Sequence, residues 1–407
     1  MLNIKQIVVL CGGSGSRLGN VTKEIPKPML MVRGVPYLDL LVQELAQFPV
    51  DEIVLLAGYK GETIRNHLDD KIVNGVKIKV LIEDQPRGTL GALLYHSDQL
   101  KEQFIVCNAD TMWTYKIIDF YQALKVLDKN FSYIFTTIPK NENRYGNIMI
   151  EGDFIRDFEE KENKIAVNLI NSGIYVLKKE HLLDLPFLEI TKKLDLEAHC
   201  FKLLASKGLL KCVNNIIIDF FDFGTPASFR ELSDQVLIKF SKKIIFLDRD
   251  NTINHDNGYI SYPSKVVICE SFLEICDELS GSNRFLVVIS NQGGIAKEKF
   301  LETDNIKFYK QIKIKLAEYG VFLFDYLYCP HHPSVSHCLC RKPETELIDN
   351  WKFREIMDMR SMSVIGDSIA DGGFAENLGA KYIRATCNKS YKEKLRYELH
   401  VNNKNTT

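Results

Sequence analysis

The sequence predicts an α/β protein of two domains built on buried, mostly parallel sheets. Apolar, β-branched runs recur at Ile7 to Leu10, Ile53 to Leu56, Phe104 to Cys107, Ile244 to Leu247 and Phe285 to Ile289. Longer amphipathic stretches, such as Leu38 to Phe48 and Ile306 to Tyr319, alternate with them, the rhythm of strands crossed by helices. At 407 residues the chain is too long for one ordinary core. Around residues 238 to 243 one amphipathic segment ends and a fresh buried strand, IIFLDRD, begins. The expected layout is therefore a first domain over 1–238, a second over 242–390, and a polar tail over 391–407 whose last residues, HVNNKNTT, should lack order.

Composition narrows the function classes. The chain is 45% hydrophobic and 26% charged with a net charge of −1, which leaves no excess of cations to hold a nucleic-acid backbone. No run approaches the ~20 apolar residues of a membrane span, and the start, with an apolar run of only four residues, is not expected to act as an export signal. The expectation is a cytoplasmic protein acting on small molecules, as a monomer or a homo-oligomer. Its ten cysteines are then expected to be thiols or metal ligands rather than disulfides.

The stretch VVLCGGSGSRLGNVTKEIPKPM places a glycine-rich turn after the first strand. Gly12, Gly13 and Gly15 leave backbone amides free to approach a polyphosphate, and a triphosphate is the natural ligand. The spacing matches neither the dinucleotide fingerprint nor a P-loop. Arg17 and Lys27, the latter between Pro26 and Pro28, supply cations that can meet the same phosphates.

With these cations the stretch resembles the start of the sugar-phosphate nucleotidyltransferases, and the resemblance runs over roughly the first 230 residues. It implies a Rossmann-like mixed sheet of the GT-A kind. It also implies a nucleobase loop, EDQPRGTLGAL, in which Gln85 and the backbone near Gly88 bond the base. Asp110 in CNADTMW and Asp222 in FFDFGTP would hold Mg²⁺ against the nucleotide and sugar phosphates. Lys161 in DFEEKENK and Asn171 in NSGIYVL would bind the sugar phosphate and the sugar. Ala109 stands where the family usually has glycine. The implied reaction is in-line attack of a sugar 1-phosphate on the α-phosphorus of an NTP, releasing pyrophosphate, with positioning and positive charge as the main catalytic devices.

In the second half, IIFLDRDNTIN puts Asp248 and Asp250 two residues apart at a strand end, so that both can reach one pocket. Three further motifs follow in order: VVISNQGGIA with Ser290 and Asn291, CRKPE with Arg341 and Lys342, and VIGDSIADGG with Asp367 and Asp371. Together they resemble the haloacid dehalogenase (HAD) superfamily of phosphatases, which implies a Rossmannoid parallel sheet. By that resemblance Asp248 attacks phosphorus, and Asp250 serves as general acid and then base. Ser290, Asn291, Arg341 and Lys342 would bind the phosphorylated substrate. Mg²⁺ would be bound by Asp248, Asp367 and Asp250, the last through its main-chain carbonyl, with Asp371 in support. Asn251 replaces the usual glycine and can still take the left-handed turn.

The stretch CPHHPSVSHCLCRKPE crowds three cysteines and three histidines. Cys329, His331, Cys338 and Cys340 form two short pairs across a loop, able to close a tetrahedral Cys₃His site for a structural zinc. His332 and His337 could replace His331 as ligand, and a redox switch is the competing reading. The cluster leads straight into the phosphate-binding CRKPE. That arrangement resembles the D-glycero-D-manno-heptose 1,7-bisphosphate 7-phosphatases, a branch shared with histidinol-phosphate phosphatases. The first half most resembles the D-glycero-D-manno-heptose 1-phosphate guanylyltransferases, which implies GTP, although the loop residues alone do not select guanine. The phosphatase product is a substrate type for the transferase, and this favours heptose over histidinol phosphate. Two alternatives stand beside this reading: a hexose 1-phosphate nucleotidyltransferase fused to an unrelated phosphatase, and a regulatory protein with inactive sites. The second is disfavoured because every expected carboxylate is present.

Overall fold

The computed structural model describes residues 4–138, 146–159, 169–186, 193–256, 258 and 265–401. The first half is built on a ten-stranded mixed sheet. At its centre the strand Gln6–Cys11 runs parallel to Glu52–Ala57 on one side and to Gln103–Asn108 on the other. Both faces of these apolar strands are covered, as parallel pairing requires. Ile170–Lys178 joins the far side of Gln103–Asn108 antiparallel, which makes the sheet mixed. A separate two-stranded ribbon pairs Thr111–Thr114 with Asp219–Asp222.

The second half is a five-stranded sheet, ordered Leu323–Cys329, Arg284–Asn291, Lys243–Leu247, Met362–Gly366, Lys381–Arg384, and parallel throughout. The helix Pro226–Phe240 leads into it. That helix starts sharply because Pro226 occupies its first turn and Thr225 forms a capping box with Ser228. Among the described residues no helix is long and apolar enough to cross a membrane.

Three expectations are corrected. The polar tail expected over 391–407 begins as the helix Lys392–Val401, with Tyr391 and Leu395 buried in the core of the second half; of residues 400–407, expected to lack order, the first two end that helix and 402–407 lie outside the described residues. Cys269 and Cys387, 118 positions apart, are joined in a disulfide with their Cα atoms 5.0 Å apart. The chain after the last strand returns to the start of the helix Glu270–Leu273, a proximity that spacing does not reveal. The helix expected to run from Leu38 to Phe48 spans Tyr37–Leu45 and is not amphipathic in place, since all nine of its residues are buried. The second half covers the side that water would otherwise wet.

That covering is close. Phe322 packs on Phe48 and Tyr121, with ring centroids 6.0 and 5.3 Å apart, so one apolar core runs through both halves. Asn74 donates to Leu323 O at 2.7 Å, and the Gln43 amide bonds Phe324 O. Lys313, fully buried, donates to Ala46 O at 2.7 Å and Asn74 O at 2.8 Å. Burial, with Lys310 nearby, pushes its ammonium pKa well down.

Candidate active sites

The first site lies at the carboxyl ends of the central parallel strands, the expected place for a ligand in such a sheet. A cavity of about 620 Å³ opens there, lined by Gly12, Gly13, Lys27, Gln85, Gly88 and Asp110 among others. The ribbon pairs Thr111 with Asp222, and this register draws the second carboxylate beside the first. Lys27 Nζ stands 2.6 Å from Asp110 Oδ2 and 3.7 Å from Asp222 Oδ1, so both acids converge on one point. Arg17 closes the group from outside: a Cβ on Gly224 would lie 3.1 Å from Arg17 Nη2 and 3.2 Å from Asp222 Oδ1. Gly15 adopts φ 63° and packs its Cα face on Thr22 and Lys27, leaving no room for a side chain.

Gly88, at φ 76°, has a structural reason of its own. A Cβ there would stand 2.5 Å from Leu194 O, because the segment around Leu194 bonds across the base loop through Leu90 N and Arg87 O. This crossing brings Lys193 and Asp195 to the cavity, two residues that no motif announced. Glu83, the first residue of that loop, also lines the cavity. Its carboxylate fits between Gly12 and Gly58, where a Cβ would lie 3.1 and 2.5 Å from Oε1. Burial pushes its pKa up against the opposing bond from Arg87 N–H. Asn171 does not line the cavity: its amide is engaged by Tyr175 at 2.9 Å and Glu197 at 2.6 Å. Lys161 lies outside the described residues.

In the second half Asp248 follows the strand Lys243–Leu247 and is anchored by its N–H to Ile365 O at 2.8 Å. Lys342 reaches it from the loop after the cysteine cluster, with Nζ 2.6 Å from Asp248 Oδ1 and 2.5 Å from Asp371 Oδ1. Asn291 aims this lysine by a reciprocal pair of bonds to the Lys342 main chain, at 3.0 and 3.1 Å. Ser290 Oγ is buried and accepts from Gln292 at 2.7 Å. Oxygens of Asp248, Asp367 and Asp371 all lie within 4.8 Å of one another, a hard-oxygen set suited to Mg²⁺. Gly366 makes room for it, since a Cβ there would stand 2.4 Å from the Asp371 carboxyl carbon. Burial, reinforced by Asp371 and Asp250 against the pull of Lys342, pushes the Asp248 pKa up to about 7. Burial and Asp371 raise that of Asp367 as well.

The Asp250 side chain is not in the carboxylate cluster. It is held by Arg249 through two 2.9 Å bonds, by Gln292 at 2.8 Å and by Asn254 at 3.2 Å. Burial alone would raise its pKa, but the Arg249 guanidinium outweighs burial and holds it below the ordinary range. Arg249 and Gln292 are therefore positioning residues that the motif reading passed over. The signal was present in a basic residue flanked by two acids. Asn251 takes φ 56°, the left-handed turn expected of it.

The four sulfur and nitrogen atoms of Cys329, His331, Cys338 and Cys340 also lie within 4.8 Å of one another. Cys329 Sγ is 3.6 Å from Cys338 Sγ and 3.3 Å from Cys340 Sγ, and His331 Nδ1 is 3.2 Å from Cys340 Sγ. Soft sulfur with one imidazole is a donor set that fits zinc. His332 instead bonds Ser334 at 2.8 Å, which leaves His331 as the histidine of the group. Arg341 donates to His331 O at 3.1 Å, so the loop carrying the cluster also places the basic pair of CRKPE.

Two acid-and-lysine sites at the carboxyl ends of two separate sheets define an enzyme with two phosphate chemistries. Residues 6–238 match the nucleotidyl transferase family model, and the chain belongs to that family. Over 178 residues, 43% of this chain and 76% of the relative, it is 36% identical to a D-glycero-alpha-D-manno-heptose 1-phosphate guanylyltransferase of Campylobacter jejuni. Over 150 residues, 35% of this chain and 80% of the relative, it is 33% identical to a D-glycero-beta-D-manno-heptose-1,7-bisphosphate 7-phosphatase of Yersinia pestis, and it belongs with those phosphatases too. A crystal structure of HddC from Yersinia pseudotuberculosis aligns with a TM-score of 0.48 at 28% identity, covering 57% of this chain and 99% of that one. The chain thus joins a nucleotidyltransferase to a phosphomonoesterase.

Proposed function

We propose that the protein makes a nucleotide-activated heptose in the cytoplasm by two successive reactions. The second half removes the 7-phosphate of D-glycero-D-manno-heptose 1,7-bisphosphate, and the first half joins the resulting heptose 1-phosphate to a nucleotide, releasing pyrophosphate. What carries this reading is that both carboxylate–lysine groups are complete in one chain whose two sets of relatives are named for these two heptose phosphates.

In the phosphatase site a carboxylate oxygen of Asp248 attacks phosphorus and the bond to O7 breaks; Asp250, ionised while Arg249 holds it, has to leave that guanidinium and take up a proton before it can give one to O7. Asp250 then takes a proton from water, which attacks the aspartyl-phosphate and frees Asp248 and inorganic phosphate. Lys342 and Ser290 hold the phosphate oxygens. Magnesium bound by Asp248, Asp367 and the Asp250 carbonyl would offset the repulsion between anionic nucleophile and anionic substrate. In the first half Lys27, Arg17 and the Gly12 to Gly15 amides hold the triphosphate, and Asp110 and Asp222 would share a second magnesium. A phosphate oxygen of the sugar then attacks the α-phosphorus in line, and pyrophosphate leaves. Zinc on Cys329, His331, Cys338 and Cys340 would fix the loop that delivers Lys342.

We assign GTP as the nucleotide. The relative matched over the first half is named a guanylyltransferase, and that name supports guanine as the base. Incubation with heptose 1,7-bisphosphate and each NTP in turn, followed by mass spectrometry, should yield phosphate and GDP-heptose. Phosphate release with no sugar nucleotide from any NTP would sink the coupled reading. Asp248→Asn should stop phosphate release and leave transfer to supplied heptose 1-phosphate intact.

A further inference from the structure

Resting on the reading above, we infer that neither active site opens at the junction of the two halves, so that heptose 1-phosphate leaves the phosphatase site and reaches the transferase site through bulk solvent. The path of the chain leads from one site to the junction and on to the other. The helix Pro226–Phe240 begins four residues after Asp222, in the first site, and its 15 residues span about 22 Å. Three residues after Phe240 the strand Lys243–Leu247 begins, and its five residues rise about 16 Å to Leu247, which Asp248 follows.

The contacts on the first half come from two helices that flank its sheet and from the loops that open two of its strands. They include Asp39 and Gln43 of Tyr37–Leu45, Tyr121 of Ile117–Val126, Ala46, Phe48 and Asp51 just before Glu52–Ala57, and Asn74 just before Val76–Ile82. On the second half they include the carboxyl-terminal part of the helix Glu302–Glu318 and the residues that open the strand Leu323–Cys329. Phe240 stacks at 5.9 Å on Phe285, the second residue of its strand, and lies 6.4 Å from Phe324, the second residue of its own. The phosphatase groups sit at the carboxyl ends of the second sheet, and it is the amino ends of that sheet that meet the first half. The phosphatase site therefore faces away from the junction.

Among the described residues, the cavity at the junction reaches neither site. The cavity there, about 390 Å³ and lined by Asn74, Glu302, Asp325 and Tyr326 among others, is lined by none of Asp110, Asp222, Asp248 or Asp367. The first-site cavity is lined only by residues up to Asp195. A closed core of Phe48, Phe322, Phe324 and Trp351 fills the space between, and Lys313 bonds it across. Surface guidance is weak too. The intermediate is a dianion, the chain has a net charge of −1, and attraction beyond the ~8 Å screening length of physiological salt is largely lost.

The full-length enzyme, given isotope-labelled heptose 1,7-bisphosphate, GTP and a tenfold excess of unlabelled heptose 1-phosphate, should incorporate label into GDP-heptose only in proportion to the free pool, about a tenfold dilution. Label retained above that proportion would overturn the inference. A one-to-one mixture of Asp248→Asn and Asp110→Asn chains, with each working site at the wild-type concentration, should show the lag and final rate of the wild type. A longer lag in the mixture would also overturn it. Unlabelled heptose 1-phosphate supplied alone is the control. Absence of sugar nucleotide there defeats the proposed function, whereas its presence with retained label defeats only the inference drawn here.

Discussion

The Lys342 ammonium stands between the carboxylates of Asp248 and Asp371, 2.6 Å from one and 2.5 Å from the other, with all three side chains almost wholly out of water. A lone lysine so buried would lose its proton. Here burial is outweighed by the two acids, and the ammonium pKa is raised. The same charge is what a substrate phosphate meets.

Lys342→Met should consequently cut phosphate release by about 100-fold or more, the usual loss when one preorganised cationic or donor group is removed. Transfer from GTP to supplied heptose 1-phosphate should stay within about twofold of wild type, since the sites share no residue. Assaying the two reactions separately checks this, and an equal loss in both would contradict it.

Magnesium binding to the second site should depend on pH. Asp248 is raised to about 7, so below that pH a cation must displace its proton. Apparent magnesium affinity should therefore rise between pH 6 and 8, and titration calorimetry in buffers of different ionisation enthalpy should show proton release on binding near pH 6.5. Stability follows with the opposite sign. In metal-free protein the folded state holds more protons than the unfolded one between about pH 4 and 7, so stability falls as pH rises across that window. Saturating magnesium should flatten the slope.

Cys338→Ser should reduce zinc measured by mass spectrometry of the purified chain, and it should lower phosphatase activity through the displaced Lys342. His337→Ala should leave the zinc content unchanged, because His331 is the histidine that faces the three sulfurs. Zinc lost in the His337 variant and kept in the Cys338 variant would refute this ligand set.

Phe322→Ala removes the ring shared by Phe48 and Tyr121 and should cost about 3–5 kcal/mol. Because the core is continuous, both activities should be lost together on heating, at one lowered temperature. Separate inactivation curves would mean that the halves unfold independently.

Local chemistry was legible in the linear sequence wherever a function needs its residues close together along the chain. Asp248 and Asp250 share one strand end, the zinc ligands lie within a dozen positions, and the glycine turn with Arg17 and Lys27 is one continuous stretch. The turn at Asn251 was also readable, because a left-handed angle depends on one residue. Partnership across the chain was not. Nothing local pairs Thr111 with Asp222, joins Cys269 to Cys387 or brings Lys193 over the base loop.

The sequence by itself determined two α/β sheets, the acids at their strand ends and the sulfur-rich loop, because side-chain periodicity and motif spacing are properties of short segments. Only the tertiary structure decided which of those acids meet a lysine, that Arg249 rather than a metal site claims the Asp250 side chain, and that the helix Tyr37–Leu45 is buried on every side. It alone set the buried contacts between the two halves. The reason is physical: burial, shifted pKa values and domain orientation arise from contacts between segments hundreds of residues apart, and no window of neighbouring residues contains them.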